Sequence, residues 1–167
     1  RGASQIMDVF NPLGMAWGTD ATAFSQMAED YFNDANAGAQ LLDPDSDCQL
    51  NYVIVIGDGA MNHTGVLGAG GQTAARMARL RDKGVKSIYV AYGGGITGVN
   101  LNRFHELARI GSSTATTTAE CAANEECERA IVALTPEDLK TELTARIRQI
   151  IADKLAFTAA SITATIQ

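Results

Sequence analysis

Apolar and polar positions along the chain repeat with two different periods. Between residues 21 and 33, Phe24, Met27, Ala28, Tyr31 and Phe32 fall at i, i+3, i+4, i+7 and i+8, a single stripe of a helix. Thr19 or Asp20 can cap it, because a short side-chain oxygen accepts an orphan backbone N–H. Residues 36–50 are polar and read as a loop. Tyr52-Val-Ile-Val-Ile56 is an unbroken apolar run ending at Gly57-Asp58-Gly59, the pattern of a strand buried on both faces at the centre of a parallel sheet. A glycine-rich loop follows, then a helix over 71–82 closed by Gly84. Ser87-Ile-Tyr-Val-Ala-Tyr92 is a second apolar strand, running into Gly93-Gly94-Gly95. The next helix covers about 100–109, with Leu101, Phe104, Leu107 and Ala108 on one side.

Residues 111–130 carry no apolar period and read as irregular, with one short strand at 114–118. Thr135-Pro136-Glu137-Asp138 then opens a long helix: Thr135 caps it, Pro136 takes the first helical position, and acids fill the first turn. Leu139, Leu143, Ile147, Ile150, Ile151 and Leu155 continue it. From Ser161 to Ile166 the period switches to two. Residues 1–158 therefore read as one domain, and 159–167 as an edge strand or the start of a following one. Strand and helix alternation predicts an α/β fold, an open and mostly parallel sheet with helices on both faces. Ligands of such sheets bind beyond the C-terminal ends of the strands.

Composition narrows the function classes. Thirteen Lys and Arg against nineteen Asp and Glu give a net charge of −6, which excludes a general nucleic-acid footprint and argues against docking on anionic lipid. No apolar run approaches the roughly 18 residues of a membrane span. The three cysteines are Cys48, Cys121 and Cys127. A zinc site wants four ligands at CxxC-like spacing, which is absent. Cys121 and Cys127 close a short loop, and a disulfide there would imply an oxidising compartment. Two free thiols are the alternative, and Cys48 is left over.

Asp58 is the sharpest candidate for chemistry. A carboxylate between two glycines, directly after a buried strand, faces the crevice at the sheet's end. There it can ligate a hard cation such as Mg²⁺ or Ca²⁺, joined by the Thr19 hydroxyl. It can equally cap its own turn. Asp43-Pro-Asp-Ser-Asp47 fails as an EF-hand loop, since Cys48 and Ile54 stand where Gly and Glu are needed. Gly93 to Gly98 matches GxGxxG, but the helix is expected to start at Asn100 and no acid-tipped strand follows about 20 residues on, so a tight turn is the simpler reading. His63, five residues after Asp58, is a ligand, a base or an exposed loop residue. Thr64, Ser112 and Ser113 read as ordinary polar positions, and Phe24, Met27 and Tyr31 as a core face.

Taken together, Cys48-Gln49-Leu50-Asn51-Tyr52-Val-Ile-Val-Ile-Gly57-Asp58-Gly59 resembles the central strand of a von Willebrand factor A domain. More narrowly, it resembles the form in type IV pilus tip proteins of the PilC/PilY family. Gly18-Thr19-Asp20 through Tyr31-Phe32 resembles that family's Gly-Thr-Pro helix, and 139–151 with 161–167 its last helix and the strand leading to a C-terminal β-propeller. The resemblance implies a divalent cation, Mg²⁺ or Ca²⁺, held at an adhesion site to which Thr19 and Asp58 contribute. It places the family's Asp-x-Ser-x-Ser loop before Arg1, so the fold's first strand is expected to be missing. Asp20 and Gly57 depart from the pattern, Gly57 replacing a hydroxyl. The resemblance also implies a binding module rather than an enzyme, extracellular, at a pilus tip, cell surface or outer membrane. Its partners would be pilus subunits (minor pilins) or a host or surface ligand. A metal-free A-type scaffold and a nucleotide-binding α/β enzyme are the rival readings.

Overall fold

The computed structural model describes residues 21–42, 50–61, 71–122 and 127–164. In chain order these form helix α1 (Ala21–Asn33), a short 3-10 turn (Gly38–Leu41), strand β1 (Asn51–Gly57), α2 (Gln72–Asp82), β2 (Val85–Tyr92), α3 (Gly98–Ser112), the single turn α4 (Thr118–Ala122), β3 (Ile131–Ala133) and α5 (Pro136–Ala164). The strands make one parallel sheet in the order β1-β2-β3, with Ile54 opposite Ile88 and Val90 opposite Ile131. The α/β class and the open parallel sheet are as the alternation predicts.

Helices cover both faces. On the first, α1, α2 and α3 enclose a core of Met77, Leu80, Val85, Tyr89, Phe104 and Leu107. Tyr89 stands edge-on to Phe24 and to Phe104, both ring pairs 6.4 Å apart. Its hydroxyl is buried with no hydrogen-bond partner among the described residues, and burial pushes its pKa far up. On the second face, Leu139, Leu143 and Ile150 of α5 lie on Ile88, Val90 and Ala133. These three fall on one stripe of α5, which is why so long a helix seats on so small a sheet.

The ends of the elements are set locally. Gly84, at φ +83°, closes α2 and donates its N–H to the Arg81 carbonyl at 2.8 Å. Thr135 and Asp138 form the reciprocal cap of α5: the Asp138 N–H donates to Thr135 Oγ1 at 3.1 Å, and the Thr135 N–H to Asp138 Oδ2 at 3.0 Å.

Several expectations need correction. β1 is not central: β2 is the middle strand, and the outer edge of β1 pairs with no strand among the described residues. Its Ile54 and Ile56, although apolar, are 43% and 51% exposed. In α1 the buried stripe is Ala21, Ser25 and Phe32, while Met27 is 73% exposed and Tyr31 is 50% exposed. Phe24, Ala28 and Phe32 pack on the core as the stripe predicts, whereas Met27 and Tyr31 of the same stripe stay exposed. No strand forms at 114–118; the backbone is irregular there and then enters α4. α3 begins at Gly98, ahead of the expected Asn100. α5 runs on to Ala164, through the first part of the segment whose alternation predicts a strand.

Candidate functional site

Asp58 is exposed and sits directly beyond β1. The backbone that presents it is fixed by Gly57: a Cβ there would lie 2.9 Å from the Phe104 ring, too close for any side chain. Glycine is the residue that fits between this strand end and the Phe104 ring of α3. Two residues past Gly59, Met61 is fully buried and its carbonyl accepts from Arg103 Nη1 at 2.9 Å, tying this loop to α3 as well.

The first turn of α1 lies at the same end of the sheet. Arg76 of α2 donates to the Thr22 carbonyl at 3.0 Å, Arg79 grips Glu29 through two bonds of 2.5 and 3.0 Å, and Lys83 reaches Asn33. The contacts advance in step, so α1 and α2 run in the same direction. Because α2 returns the chain from the end of β1 to the start of the parallel β2, both helices begin at the strands' C-terminal end. Thr19 precedes Ala21 in sequence but lies outside the described residues, as do Cys48, His63, Thr64 and the acidic segment 43–47.

Among the described residues, no three His, Cys, Asp or Glu side chains come together as a metal site would need. Asp58 supplies one carboxylate where a hard divalent cation takes about six or more oxygens. The described residues therefore do not by themselves fit a cation.

The glycine loop after β2 is committed elsewhere. Gly93, at φ +91°, donates its N–H to the Ala133 carbonyl at 2.7 Å and so fastens β2 to β3. Ile96 is buried, and Thr97 makes no side-chain cap to α3. A phosphate cradle requires such N–H groups to point at the ligand, whereas that of Gly93 closes the sheet.

The opposite edge of the sheet holds what the sequence showed least. Cys121 and Cys127 are joined by a disulfide, with Cα atoms 5.2 Å apart. Next to it, Glu128 is buried. Its N–H donates to Ser112 Oγ at 2.8 Å, its carboxylate pairs with Arg146 of α5, and Ser112 Oγ donates in turn to the Ala108 carbonyl at 2.7 Å. Ser112 is thus a buried link between α3 and the strand that follows, not a loop residue. Thr117 and Glu120 cap α4 reciprocally, and Glu120 also accepts from Thr116; these bonds hold its carboxyl below the usual range. The Thr-x-x-Glu signature was in the sequence and marks this helix.

As to class, the chain is an α/β protein with a parallel sheet whose first strand ends at an exposed carboxylate. Beyond that, no protein-family model, curated protein or solved structure matches it.

Proposed function

We propose that the chain is the A-type core of an extracellular, type IV pilus-associated protein and acts in adhesion or pilus assembly, with the Asp58 end of the sheet as its partner-binding face. The observation that carries this reading is the setting of Asp58. It is an exposed carboxylate at the C-terminal end of a parallel strand, held in place by the Gly57–Phe104 packing, at the end of the fold where α1 begins. Two further features support it. The Cys121–Cys127 bridge suits an oxidising compartment. The outer edge of β1, paired with no strand among the described residues, suits a fold that carries more sheet beside it.

In this reading Asp58 and Thr19 are the residues with which the chain would share a divalent cation, and the remaining oxygens come from outside the described residues. A second reading, a metal-free scaffold of the same type, is favoured by Gly57, where no hydroxyl can stand. The two separate in the full-length protein by binding to purified pilus subunits. Loss of binding in Asp58→Ala together with loss on chelation by EDTA supports the cation-dependent module. Loss in the variant with no effect of EDTA supports the scaffold. Unchanged binding in Asp58→Ala overturns both.

A further inference from the structure

We draw no further inference here: the strongest candidate, the apolar strip of Ile54 and Ile56 on the face of β1 that α5 leaves open, carries nothing because nothing among the described residues shows what covers it.

Discussion

The two edges of the sheet are held by different physics. At the β1 edge, packing does the holding: Gly57 lies under Phe104, and α1 is pinned to α2 by pairs at the surface. At the β3 edge, a strand of only three residues is kept in place by a disulfide, a buried ion pair and the Ser112 hydroxyl. The contrast arises from how much apolar surface each edge has. β1 packs Val53 and Val55 on the helical core, and there dispersion with burial suffices, although Ile54 and Ile56 stay exposed. β3 offers too little, so covalent and polar ties take over. The edge held by packing presents an exposed carboxylate, and the edge held by ties borders a cleft.

Perturbing each edge sharpens this difference. Phe104→Ala should be the most damaging change, lowering stability by about 4 kcal/mol in chemical denaturation, because a fully buried ring that supports both Tyr89 and Gly57 is lost. A loss near 1 kcal/mol would mean that packing does not hold the β1 end. Glu128→Ala should cost about 3 kcal/mol, since Arg146 is left with an uncompensated charge in a largely buried place. Replacing both Cys121 and Cys127 by Ser should cost about 2 kcal/mol, the loop they close being short.

The smallest effect belongs to the exposed counterpart of the Glu128 pair. Arg79 is 54% exposed, so solvent screens its pairing with Glu29, but Arg76, 14% exposed, stands 3.6 Å from the same carboxylate, and Glu29→Gln should cost about 1 kcal/mol. That increment is pH-dependent. The hydrogen bond from Arg79, and then its charge, hold the Glu29 carboxyl below its ordinary value of 4.5. The folded state thus binds the proton less readily than the unfolded chain. The contribution is complete above pH 4.5 and disappears as the pH falls through the lowered value. Denaturation of wild type and Glu29→Gln at neutral pH and in acid should show the gap closing. A gap that persists in acid would show that the charge is not its source.

How far the sequence could be read obeys the same division. β1 and β2 are legible because each is a continuous apolar run, and α5 because its cap and its stripe are local patterns. β3 is invisible, since three residues are too few to show a period. The Glu128–Arg146 pair spans 18 positions and obeys no local rule. Met27 and Tyr31 mislead because the helical period identifies an apolar stripe but not its orientation. In α1 the core takes Phe24, Ala28 and Phe32 and leaves Met27 and Tyr31 exposed. At the end of β1, Asp58 is legible from its place after the strand, but the need for glycine at position 57 makes sense only once the Phe104 ring is seen beside it.

Where a partner touches the fold is read most directly by cross-linking. A photoreactive phenylalanine analogue replaces Ala60, beside Asp58, or Glu142, exposed on α5. Full-length protein carrying either is irradiated with purified pilus subunits. A cross-link from position 60 and none from position 142 is the predicted result. A cross-link from 142 with none from 60 would place the partner on the helical face and contradict binding at the Asp58 end.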